Sequence, residues 1–104
     1  MSEQLEVNSV AVRITRLSPG AFLELTYIQN GVWTATIRGI KIDCVDEHSR
    51  VTVATMTGPT AYSAIWSLWY HITAPGRSLR VGVGRHDETY KAWDSVKARW
   101  DIVV

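Results

Sequence analysis

Residues able to hold a metal or to carry acid–base and nucleophilic chemistry crowd into one short stretch: Asp43, Cys44, Asp46, Glu47 and His48. Carboxylates, a thiol and an imidazole are the donor types a divalent metal takes. Their spacing does not match the paired Cys/His intervals of a zinc site, and a solvated hairpin tip explains them equally well. No metal or cofactor is expected. Cys44 with His48 or His71 supplies the residue types of a nucleophile and its base. Such a pair needs hydrogen-bond reach and a third group to orient the base. Neither is visible in the spacing, and a buried thiol is the common fate of a free cysteine. The expectation is therefore no enzyme.

Gly82-Val83-Gly84-Arg85-His86-Asp87 follows a strand-like run and precedes a helix-like one. Backbone N–H groups at such a junction suit an anion. The stretch lacks the third glycine and the βαβ setting of a dinucleotide fingerprint, so it reads as a strand-to-helix turn. Arg77, Arg80, Arg85 and His86 form the one locally basic run, with no acid before Asp87. Together with Arg13, Arg38 and Lys41 on strand faces, they would offer contacts to phosphates or to an acidic protein. A solvated sheet face explains the same residues.

The element that would position these groups is Gly58–Thr73, GPTAYSAIWSLWYHIT. It reads as one long helix covering a β-sheet. Pro59 suits the first helical position, and Thr60 suits the cap; sequence leaves both open. Pro75 ends the run by disfavouring helix at Ala74. At 3.6 residues per turn, Ala61, Tyr62, Ile65, Leu68, Trp69 and Ile72 share a broad apolar face, with Thr60, Ser63, Ser67 and His71 opposite. Trp66 and Tyr70 fall at the edge of the apolar arc. Aromatic side chains there suit a partner surface.

A chain of 104 residues is read as a single domain, with residues 1–7 frayed. A formal charge of +1 argues against an acidic DNA mimic and against strongly basic, non-specific nucleic-acid binding. No apolar run is long enough to span a membrane. The N-terminal stretch lacks a signal-peptide pattern, and the single Cys44 cannot form an internal disulfide. Both favour an intracellular, cytoplasmic setting.

In chain order, the alternation of Val10, Val12 and Ile14 predicts a strand over Asn8–Leu17. A turn at Ser18-Pro19-Gly20 leads to a second strand, Ala21–Ile28, which would set Ile14 beside Leu25 and Val12 beside Tyr27. For the Gln29-Asn30-Gly31 loop, a three-residue reading pairs Tyr27 with Trp33, Leu25 with Ala35 and Leu23 with Ile37. That register keeps apolar residues on one face. A third strand runs from Val32 to about Cys44, with Gly39 a candidate bulge where the apolar phase flips. A fourth, Arg50–Thr57, precedes the helix. Thr15, Thr26, Thr34, Thr36 and Thr52 would line the uncovered sheet face. A short strand, Ser78–Val83, leads to a second helix, Glu88–Arg99, capped by Asp87, with Tyr90, Trp93 and Val96 on one face and Lys91, Asp94 and Arg99 on the other, and Ile102–Val104 forms an edge strand. Trp93 should be core; Trp100 is undetermined. The expected order is ββββ-α-β-α-β: an α+β fold with a mainly antiparallel sheet and both helices on one face.

In size and layout the chain resembles the small intracellular α+β proteins of phages and mobile elements, the anti-CRISPR inhibitors among them. The shared features are the meander around Gln29-Asn30-Gly31-Val32-Trp33, the covering helix from Pro59 and the lone Cys44. The resemblance implies action by binding rather than by chemistry, in a host cytoplasm. At +1 the chain departs from the strongly acidic members, so a protein surface would be the target. The expected function is thus a non-enzymatic inhibitor or binding protein that docks on a protein partner through Trp66, Tyr70, Arg77, Arg80, Arg85 and His86. One alternative is a nucleic-acid-binding domain using Arg77, Arg80 and Arg85 with Tyr70 stacking on a base. Another is a small-ligand domain or enzyme with a pocket between sheet and helix near His71, Cys44 or His86. Homodimerisation through an edge strand is a further expectation.

Overall fold

The computed structural model describes residues 3–39, 52–82 and 88–103. The fold is α+β: helix α1 (Glu3–Thr15), strands β1 (Phe22–Tyr27), β2 (Trp33–Arg38) and β3 (Ala54–Gly58), helix α2 (Ala61–Ile72), and strands β4 (Leu79–Arg80), β5 (Tyr90–Asp94) and β6 (Arg99–Val103). The strands form two antiparallel three-stranded sheets, ordered β1-β2-β3 and β4-β5-β6. The expected ββββ-α-β-α-β order is therefore corrected at two places.

The first is Asn8–Leu17, which is mostly helix rather than strand. Val7, Val10, Ile14 and Leu17 lie three and four residues apart, so they also share one face of a helix. Val10, Ile14 and Leu17 are fully buried, whereas Val12, needed inside by a strand, is 48% exposed. The expected contacts of Ile14 with Leu25 and Val12 with Tyr27 as a strand pair do not form; β2 is the neighbour paired with β1. Thr15 accordingly lies in α1, not on the sheet.

The second is Glu88–Arg99, which is a hairpin rather than a helix. Trp93 pairs with Trp100, and Asp94 with Arg99. Asp94 accepts the backbone N–H groups of Val96 at 2.9 Å and Lys97 at 3.0 Å. A short side chain bonding its own following backbone reverses the chain where a helix would have continued. Val96, expected on the buried helix face, sits at the hairpin tip, 93% exposed. The expected edge strand at Ile102 begins earlier, at Arg99, and is the edge of the second sheet.

Other expectations hold. The β1–β2 register is Tyr27 to Trp33, Leu25 to Ala35 and Leu23 to Ile37. Asn30 and Gly31 both have positive φ, at 53° and 77°, and the Val32 N–H donates to the Gln29 carbonyl at 3.0 Å. Ile28 also bonds Val32, at 2.8 Å. Gln29 is thus one extra residue before a primed Asn-Gly turn, reconciling the turn's preferred geometry with the apolar register. Ser18-Pro19-Gly20-Ala21 closes as expected, the Ala21 N–H reaching the Ser18 carbonyl at 3.0 Å with Gly20 at φ +83°. Gly39, at φ +102°, is buried against this turn. The rest of the expected third strand, the start of the fourth and the Asp43–His48 cluster lie outside the described residues.

Helix α2 begins at Thr60, so the cap and not Pro59 marks its start. The Thr60 hydroxyl accepts the Ser63 N–H at 3.0 Å, and the Ser63 hydroxyl accepts the Thr60 N–H at 3.1 Å. This reciprocal box satisfies two otherwise orphan donors. Ala64, Ile65, Leu68, Trp69 and Ile72 are buried against the β1-β2-β3 sheet and α1. Full burial of a side chain such as Leu68 stabilises the fold by about 1.5–3 kcal/mol.

Candidate functional site

Tyr62, expected on the apolar face, is not among the buried residues of α2; with Trp66 and Tyr70 it recurs every fourth residue and forms a ridge beside the buried arc. Tyr62 and Trp66 meet edge to face at 6.0 Å between centroids, and Trp66 and Tyr70 lie tilted at 5.6 Å. Trp66 is half-buried, packed on the core, and its indole N–H finds no acceptor among the described residues. Tyr70 is 68% exposed. The ridge therefore has a fixed base and a solvent-facing ring, an arrangement that loses little freedom when a surface closes on it.

The helix ends at Thr73, whose hydroxyl and N–H both donate to the Trp69 carbonyl. Ala74-Pro75-Gly76-Arg77 then turns back, with the Arg77 N–H on the Ala74 carbonyl at 3.0 Å and Gly76 at φ +80°. This places Arg77 against the last helical turn, where its guanidinium donates to His71 Nε2 at 2.8 Å. No carboxylate among the described residues pairs with Arg77. Trp66, Tyr70 and Arg77 thus belong to the outer side and end of one helix. Arg80 is half-buried on β4 and is engaged elsewhere. Arg85 and His86 lie outside the described residues.

Of the cations expected on strand faces, Arg38 stands on β2 as expected, and Arg13 does not. Arg38 pairs with Glu24 across β1 and β2 at 3.3 Å. Arg13 is helical, and its guanidinium stands 5.5 Å from the Trp69 ring centre and 5.1 Å from that of Trp93. Lys41 is outside the described residues. The outer face of the first sheet carries Thr26, Thr34 and Thr36, as expected, together with Thr55 and Thr57, and the Thr36 and Thr55 hydroxyls are bonded at 3.0 Å. Of the threonines expected there, Thr52 precedes β3.

Sequence reasoning did not anticipate the meeting of Trp69, Trp93 and Trp100. Their rings lie edge to face at 5.0, 6.1 and 5.2 Å. Such an indole box suits a cation, and Arg13 already fills it. Its signal was faint, because Trp93 and Trp100 come together only if Asp94 reverses the chain.

A shallow depression of about 230 Å³ lies beside the α2–β4 turn, lined by Thr73, Arg77, Ser78, Trp93 and Val103 among others. Its side chains include no imidazole, thiol or carboxylate that could act as a base. Among the described residues no three His, Cys, Asp or Glu side chains converge. No helix among them is long and apolar enough to cross a membrane.

Compared with known proteins, the chain matches no family model, no curated protein and no solved structure.

Proposed function

We propose that this chain is a small non-enzymatic binding protein that docks on a protein partner through the outer ridge of α2. One observation carries the reading: Tyr70 is held at 68% exposure on the half-buried ring of Trp66. Tyrosine, tryptophan and arginine are the side chains that dominate binding energy at protein surfaces. Arg77, which donates to His71 and pairs with no carboxylate among the described residues, adds a charge that a partner carboxylate would complement. The partner surface is thus an apolar pocket with an acidic rim. Occlusion of that surface, as in the phage-encoded inhibitors that the layout resembles, is the form of action we propose, in the cytoplasm of a host cell.

A photocrosslinking residue at position 70, with position 96 at the exposed β5–β6 tip as control, tests this in cells of the source organism. The expected result is a discrete adduct from position 70 only, which unlabelled wild-type chain competes away. Unlabelled Trp66→Ala or Arg77→Glu protein should compete at least tenfold less well. Equal labelling from both positions, or full competition by those variants, overturns the proposal.

A further inference from the structure

We infer that β1 pairs edge to edge with β1 of a second copy, on a two-fold axis at Leu25. Among the described residues, β1 is an edge strand of its sheet. Ile28 donates to Val32 across the hairpin; antiparallel pairing then alternates, so Phe22, Glu24 and Thr26 turn their backbone groups to β2. Leu23, Leu25 and Tyr27 turn theirs outward, where no strand meets them among the described residues.

The side chains beside that edge are apolar. Leu25 is 39% and Tyr27 52% exposed, on the same sheet face as buried Ala35 and Ile37. Natural edges are usually protected by Lys, Pro, a bulge or an inward charge. Phe22–Tyr27, FLELTY, has none of these within it, and its one charge, Glu24, is neutralised by Arg38. The edge of β6 carries Arg99 and Asp101, and β4 has two residues.

The strand also fits itself in one register. Centred on Leu25, antiparallel pairing sets Leu25 on Leu25, Leu23 on Tyr27 and Glu24 on Thr26. Apolar then meets apolar on the helix side, and polar meets polar on the threonine side. Centring on Glu24 would bring two carboxylates into a close, non-hydrogen-bonded pair. Centring on Thr26 would run the pairing into the bulge at Gln29. The product is a continuous antiparallel sheet through both copies, closed by its two-fold axis. This surface is separate from the α2 ridge and does not rest on the function proposed for it.

Two measurements test the inference. Light scattering of the wild-type chain is expected to give a mass approaching twice 11.7 kDa as concentration rises, and Leu25→Lys, with an unchanged circular-dichroism spectrum, should weaken association at least tenfold. In a Cys44→Ser background, Leu25→Cys should form an intermolecular disulfide on mild oxidation. Hydrogen-bonded antiparallel partners lie about 5.5 Å apart between Cα atoms, within disulfide range. Ile102→Cys on β6 reports the competing edge. A wild-type mass of one chain up to millimolar concentration overturns the inference, and so does cross-linking by Ile102→Cys as fast as by Leu25→Cys. Should Leu25→Lys not fold, the disulfide rates and the wild-type mass still decide.

Discussion

The indole N–H of Trp100 donates to the backbone carbonyl of Arg13 at 2.8 Å, joining residues 87 positions apart. Arg13 lies in the last turn of α1, and its carbonyl also accepts the Arg16 N–H at 3.3 Å. Nearby, the Lys91 ammonium donates to the Leu17 carbonyl at 2.9 Å. The second sheet is therefore fastened to the C-terminal end of the first helix, with Arg13 seated on Trp69 and Trp93. Trp100→Phe keeps an aromatic ring and removes the bond, so urea unfolding should show a loss of about 1 kcal/mol. Trp100→Ala also removes the edge-to-face contacts and should lose about 2–4 kcal/mol.

Gly39 and Gly31 both have positive φ, at +102° and +77°, but their surroundings differ. A Cβ on Gly39 would overlap the Gly20 carbonyl oxygen and meet Phe22, while one on Gly31 has nothing within 4 Å. Gly31→Ala then carries only backbone strain, about 1–2 kcal/mol. Gly39→Ala adds a backbone collision and should lose about 3 kcal/mol or more. Denaturation midpoints of the two variants, measured side by side, check the order; equal losses would contradict the close approach.

The Thr60–Ser63 box makes a coupled prediction. Thr60→Ala should lower stability by about 1 kcal/mol. Ser63→Ala frees the Thr60 N–H and should lose a similar or smaller amount. Because the two side chains act as one unit, the double variant should lose less than the sum. Thermal unfolding of all four proteins gives the coupling; strict additivity would show that the two bonds act independently and not as one unit.

Asp94 makes stability depend on pH in a defined direction. The Lys97 backbone N–H, foremost, and that of Val96 hold its carboxyl below the ordinary value of 3.8. A depressed folded-state pKa contributes stability above the unfolded value, and that contribution is lost as pH falls through the folded value. Between about pH 4 and pH 2, wild-type protein should therefore lose its melting temperature faster than Asp94→Asn, which keeps a neutral acceptor for the turn. Parallel slopes for the two proteins in that window would remove Asp94 from the acid response.

Local chemistry alone settled α2, both Pro-Gly turns and the β1–β2 register. Each depends on residues close in sequence: a capping hydroxyl, a fixed proline φ, an Asn-Gly pair that tolerates positive φ. The ridge of Trp66 and Tyr70 followed from the period of the same helix, and Tyr70 stands exposed at its edge.

Two segments were decided only by tertiary structure. Val10 and Ile14, four apart, satisfy both a helix and an alternating strand; Val12 separates the two readings, and its exposure of 48% records the helix. Tyr90, Trp93 and Val96 fit a helix face, yet Trp93 gains more by standing opposite Trp100 and against Trp69. In both cases the residues fit two periods, and the partner that the rest of the fold offered chose between them. The edge of β1 has the same origin: once Asn8–Leu17 coils instead of pairing, no strand among the described residues meets Leu25 and Tyr27 from that side.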